Sequence, residues 1–325
     1  MRTPPESVHA PPPPANPDGD GPGPRRWSRR RLLSVGLGGA AVVVVAGVTG
    51  FELVSHGVLP GQQRLDELDG ACSVDVPELS YSTQGPSTSG TFFSSARNRT
   101  VGYTIAWPPG HGRGTLLPLV VMLHGFGGNH TDALAGMSPA QAVALHVDGR
   151  RLPAMALVTV DGGDGYWNPH PGDDPMTMVI DELIPMCQGL GLGRAPLKVG
   201  TMGISMGGYG ALLLAERYPH LIEAAAAISP AIWTSYPEAR QANPGAYASA
   251  EEFAANDAVA LAPALRATPV RVASGDDDPF RPGVEALIRV LPVSAVVELS
   301  KGCHTGPFFL AQEPPSLAFL GRHLS

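Results

Sequence analysis

The sequence predicts an α/β domain, a mostly parallel sheet covered by helices, and three observations lead there. Short apolar runs alternate with helix-like stretches from Val101 to the C-terminus. Hydrophobic residues make up 43% of the chain and charged residues 16%, a balance that suits a buried sheet. At 325 residues the chain is long enough for one substantial core plus additional segments.

Residues 1–31 open with Pro, Gly and small polar residues that have no apolar periodicity, so a disordered tail is expected. Its end carries Arg25, Arg26, Arg29, Arg30 and Arg31, and an apolar, Gly-rich run fills 32–54. This pairing resembles a twin-arginine export signal. The run is also near the roughly 20 residues that span a bilayer, so an anchor that tethers the chain to a membrane is the alternative. Either way the domain is expected outside the cytoplasm, secreted or held on the outer side of the cytoplasmic membrane. No A-x-A site follows the run, which leaves cleavage and retention both open. Residues 55–97, rich in Ser, Thr, Gly and Pro, read as a linker or loosely packed extension. The catalytic domain is expected over 98–325.

The six arginines and four acids of residues 1–54 leave 16 basic and 25 acidic side chains in the remainder, a balance of −9. Such a domain lacks the basic footprint that nucleic acid requires. In an oxidising compartment Cys72 and Cys303 can pair, with Cys187 left as a buried thiol.

The expected strands are Val101–Trp107, Leu119–Leu123, Ala156–Val160, Leu197–Thr201, Ala224–Ser229, Val270–Ala273 and Ala295–Leu299. Sheets of this kind bind ligands at the carboxyl ends of their strands, and four of the loops there carry chemistry. Gly203-Ile204-Ser205-Met206-Gly207 fits G-x-S-x-G between a strand and a helix expected over Met206–Tyr218. Its glycines permit the sharp turn that exposes a nucleophilic Ser205. His124-Gly125-Phe126-Gly127-Gly128 follows the second strand. A tetrahedral intermediate needs two N–H donors, and the amides of Phe126 and Met206 are the candidates, with His124 structural. Asp276, Asp277 and Asp278 compete for the acid that orients an imidazole. His304, in Gly302-Cys303-His304, stands before the terminal helix expected over Phe308–His323 and fits the general base. The order Ser, acid, His is that of the α/β-hydrolases.

These residues resemble the putative esterases, the esterase D and mycolyltransferase-antigen branch of the α/β-hydrolases, from about Thr100 to the C-terminus. The resemblance rests on the H-G-F-G-G loop, the G-I-S-M-G-G elbow, Asp161-Gly162-Gly163 with Tyr166-Trp167, the acid loop ending Asp278-Pro279-Phe280, and Gly302-Cys303-His304. It implies Asp278 as the acid ahead of Asp276, and oxyanion amides at Phe126 and Met206. It also points to Tyr166 and Trp167, which either line a substrate pocket or pack the rim of the sheet. The mycolyltransferases usually carry a glutamate as the acid, so the Asp loop here favours the general esterase.

The expected function is therefore hydrolysis of a small-molecule or lipid carboxylic ester through an acyl-serine. Two alternatives stand beside it: acyl transfer to a sugar or lipid alcohol, and a non-catalytic envelope binding protein on the same fold. No H-E-x-x-H or similar His/Cys cluster is present, so neither metal nor other cofactor is expected.

Overall fold

A computed structural model describes residues 70–325. The expected tail at 1–31, the apolar segment at 32–54 and the first part of the extension lie outside the described residues. The main sheet has eight strands: β1 (Ser87–Ser94), β2 (Arg99–Ala106), β3 (Leu119–Leu123), β4 (Ala156–Val160), β5 (Val199–Ile204), β6 (Ile222–Ile228), β7 (Val270–Gly275) and β8 (Val296–Ser300). Their spatial order is β1-β2-β4-β3-β5-β6-β7-β8. Strand β2 runs antiparallel to both of its neighbours, and every other pairing is parallel.

The central strands read as unbroken apolar runs because both of their faces are covered. All five residues of β3, and all five of β4, are buried. Side chains alternate across the sheet, so Leu119, Val121 and Leu123 enter one core layer while Val120 and Met122 enter the other. Helix α1 (Met206–Arg217) covers the first face, contributing Leu212, Leu213 and Leu214. Helix α2 (Gly306–Leu324) covers the second through Phe308, Leu317, Phe319 and Leu320. This arrangement sends the carboxyl ends of β3, β5, β7 and β8 to one edge, where the four chemical loops lie.

The extension expected over 55–97 requires correction. Ser87–Ser94 forms β1 and pairs along its whole length with β2, from Ser87 opposite Ala106 to Ser94 opposite Arg99. Farther upstream, Ser80–Tyr81 pairs with Leu145–Val147 in a small second sheet. The domain therefore starts well before residue 98. Ser-Thr-Ser-Gly-Thr reads as linker because an edge strand with one wet face carries few apolar residues. Strand β5 also runs past its expected end at Thr201 to Ile204, straight into the elbow.

Cys72 and Cys303 are joined in a disulfide. Cys187 is a buried free thiol whose pKa burial pushes up to about 12.

Helix α2 carries a fully buried Glu313, whose Oε1 accepts the Ala135 N–H at 2.6 Å while Oε2 has no partner among the described residues. Burial raises its pKa to about 8, opposed by the Ala135 hydrogen bond. The native state therefore retains a proton that the unfolded chain, titrating near 4.5, has given up. With native affinity for the proton the higher, this site's contribution to stability is complete below about pH 4.5 and is lost as pH rises through about 8. Glu313→Gln, which removes the titration, is expected to gain about 2–5 kcal/mol on the wild type between pH 4 and pH 9. Urea denaturation at the two pH values checks this, and a pH-independent difference would refute it.

Candidate active site

Ser205 occupies the turn from β5 into α1 with a positive φ of 57° and ψ of −122°. A non-glycine residue holds such a conformation only when its surroundings fix it. Here the Ser205 N–H donates to the Ile228 carbonyl at 2.9 Å, and its own carbonyl accepts from Tyr209 and Ala231 at 3.0 Å. The flanking glycines are steric requirements. A Cβ at Gly203 would strike the Gly207 carbonyl, and one at Gly207 would strike that of Leu123. Close approach of β3, β5 and α1 thus places the serine oxygen at the sheet edge.

The His304 Nε2 lies 2.8 Å from the Ser205 Oγ, and its Nδ1 lies 3.0 and 3.2 Å from the two carboxylate oxygens of Asp278. Among the three aspartates it is Asp278 that meets the histidine. Its side chain is buried, and Oδ1 also accepts the Phe280 N–H at 2.9 Å. Asp276 and Asp277 are exposed, and Asp276 pairs with Arg281 at 3.0 Å. Burial of Asp278 would raise its pKa. The hydrogen bond and positive charge of His304, the Phe280 amide and the nearby Ser229 hydroxyl outweigh that penalty and hold it below the usual value. Phe280 and Phe309 flank the imidazole with ring centroids 5.1 and 5.0 Å away. Neither aromatic emerged from the sequence as a site residue, although Phe280 ends the acid motif and Phe309 lies one turn into the helix after His304.

The His124–Gly128 loop lies across from Ser205. Among the described residues neither the Phe126 nor the Met206 amide donates a hydrogen bond to the protein, so both remain open to an acceptor. The loop is held from two sides: Asp164 Oδ1 accepts the Gly127 N–H at 2.7 Å, and Trp167 Nε1 donates to the His124 carbonyl at 3.2 Å. His124 is fully buried. Its Nε2 accepts the Gly162 N–H at 2.9 Å, which assigns the ring proton to Nδ1 and to the Gly125 carbonyl 2.7 Å away. Burial lowers its pKa, against the Gly125 hydrogen bond and surrounding aspartates, so His124 is a neutral strut.

Tyr166 and Trp167 do not line the cleft; both are buried behind the loop. Tyr166 accepts a 2.7 Å hydrogen bond from Trp233 Nε1 and packs on Tyr209 and Tyr247. Trp167 packs against His124 with ring centroids 5.1 Å apart and planes inclined at 58°. Of the two roles open at the sequence level, packing describes them, because their apolar area has more to gain in the core than at a wet rim. The segment 169–175 is likewise fastened, by Arg97 to Asp173 at 2.6 Å and by His170 to Glu252 at 3.1 Å.

The cleft above Ser205 and His304 has a volume of about 490 Å³. Phe126, Leu134, Ala135, Ile204 and Phe309 supply apolar walls, with Asp132 the carboxylate among its lining residues. Phe126 and Ile204 belong to the glycine loop and the elbow, whereas Leu134, Ala135 and Phe309 come from the 132–135 loop and from α2, where the sequence alone offered no motif.

Residues 94–286, more than half of the chain, match the family described as Putative esterase. No curated protein sequence matches the chain. Among solved structures the chain is similar to a ferulic acid esterase, with 19% identity, a TM-score of 0.59, and coverage of 74% of this chain and 99% of that one. It is similar to an S-formylglutathione hydrolase from Agrobacterium tumefaciens, with 16% identity, a TM-score of 0.58, and coverage of 78% and 100%. It is also similar to the fluorophosphonate-binding serine hydrolase FphF of Staphylococcus aureus, with 15% identity, a TM-score of 0.56, and coverage of 73% and 99%. At these identities the likeness is one of fold.

Proposed function

Since the chain belongs to the Putative esterase family and is a hydrolase of the α/β-hydrolase fold, we propose that it is an exported serine esterase that cleaves carboxylic esters through an acyl-Ser205 intermediate. The observation that carries this reading is the continuous hydrogen-bonded series from Asp278 through His304 to Ser205, opening into an apolar cleft.

Asp278 accepts from Nδ1–H, which leaves Nε2 as the acceptor for the Ser205 hydroxyl proton. As that proton moves to Nε2, Oγ attacks the ester carbonyl and negative charge grows on the carbonyl oxygen. The Phe126 and Met206 amides receive it, with Met206 at the positive end of α1. Protonated His304 then delivers its proton to the departing alcohol. Water, activated by the same imidazole, releases the acid and regenerates Ser205. The cleft walls favour a neutral, largely apolar acyl group. Export is supported by the arginine-rich, apolar N-terminal sequence.

Fluorophosphonate labelling of the folded protein, with peptide mapping and a p-nitrophenyl ester series, tests the proposal. One label per chain at Ser205 and turnover of the esters are expected. Folded protein that neither labels nor turns over would refute it.

A further inference from the structure

Resting on the triad reading above, we propose that the Cys72–Cys303 disulfide is a positioning element for His304, so that oxidation of this pair sets the catalytic competence of the enzyme. Cys303 directly precedes His304 and is fully buried, whereas Cys72 is half-buried on a segment without regular structure. That segment grips the histidine loop at successive residues. Beside the disulfide, Lys301 Nζ donates to Ser73 Oγ at 2.8 Å, and Val74 packs so closely that a Cβ on Gly302 would lie 3.0 Å from its Cγ2. On its other side the loop rests on the acid turn, where the Asp277 N–H donates to the Gly302 carbonyl at 3.0 Å. Gly302 itself has φ 146°. A glycine in such a conformation makes a compliant hinge two residues before the base. The disulfide is the covalent tie at that hinge, joining positions 231 residues apart.

Reduction has a defined course. The thiolate of a dithiol attacks the more accessible Cys72 Sγ, and Cys303 leaves and takes up a proton. The second thiol of the reagent then releases Cys72, closing the reagent to a cyclic disulfide. The protein gains two electrons and two protons, and loop 301–304 loses its covalent hold. A misplacement of the base by about 1 Å is enough to slow the chemistry about 100-fold. Competence is thereby tied to the oxidising side of the membrane, to which the N-terminal segment is proposed to send the chain.

The test uses the full chain, equilibrated with oxidised or reduced dithiothreitol. Ester turnover is followed together with the downfield NMR signal of the imidazole proton shared by His304 and Asp278. In reduced protein kcat is expected to fall about 10- to 100-fold with KM changed less than about twofold, and the proton signal to broaden. Oxidised glutathione should restore both. Cys72→Ser should show the low kcat with or without reductant. Unchanged kcat and an unchanged signal in protein whose two thiols titrate as free would overturn the proposal, as would activity lost only together with far-ultraviolet circular dichroism. If the oxidised chain cleaves no ester but the signal still responds to reduction, the esterase reading fails while the positioning role stands.

Discussion

Ser205→Ala is expected to lower kcat for ester hydrolysis by about 10⁴- to 10⁶-fold, with KM little changed. In the proposed mechanism the serine oxygen is the atom that becomes acylated, and it sits 2.8 Å from Nε2 of His304, the proposed base. Without it, the cleft walls and the two open amides still bind substrate and polarise its carbonyl, so a small residual rate over water should persist. The fold should be unaffected, because Ser205 is held through its backbone bonds to Ile228, Tyr209 and Ala231. Mass spectrometry after a substrate pulse should detect an acyl adduct on the wild type and none on the variant. Adduct formation or undiminished turnover in the variant would remove Ser205 from the mechanism.

Asp278→Asn is expected to cost about 10³- to 10⁴-fold in kcat, whereas Asp276→Asn changes it less than about threefold. The carboxylate accepts from Nδ1 and so fixes which ring nitrogen faces the serine. An amide of the same shape presents an N–H to Nδ1, turns the imidazole into the other tautomer and places a proton where Ser205 needs a base. It also removes the negative charge that stabilises the imidazolium. Asp276, by contrast, is exposed and paired with Arg281. Steady-state kinetics on both variants decide the assignment, and equal losses would refute it.

The legible parts of the site were those in which local backbone shape and chemistry coincide. A glycine-flanked serine between an apolar run and a helix announces its elbow, and the histidine in the loop between the last strand and the terminal helix announces a base. Choosing among Asp276, Asp277 and Asp278 required burial and direction, which adjacent residues in one turn do not encode; the family resemblance supplied that preference. Tyr166 and Trp167 carried an ambiguous signal, because an aromatic pair beside a glycine loop has the same sequence whether it faces substrate or core. The cleft walls at Leu134, Ala135 and Phe309 come from segments distant in sequence, and their convergence is a tertiary fact. Strand β1 was hidden for a different reason: hydrogen bonding to β2, rather than apolar burial, makes it a strand.

Ser205, Ser229, Tyr166 and Trp167 share one further property: each is a non-glycine residue with positive φ, at 57°, 45°, 59° and 58°. Each such residue costs of order 1–3 kcal/mol. The domain therefore holds part of its folding free energy as tension around the elbow, the acid and the loop support. For an engineer seeking heat resistance, this makes the neighbourhood of the site poor ground. Glycine at these positions would relieve backbone tension, yet it would remove the proposed nucleophile, the hydroxyl beside Asp278 or the indole that braces the loop. Gains are better sought on the outer helices and the exposed edge of β8, where rigidity and reactivity are not drawn from the same residues.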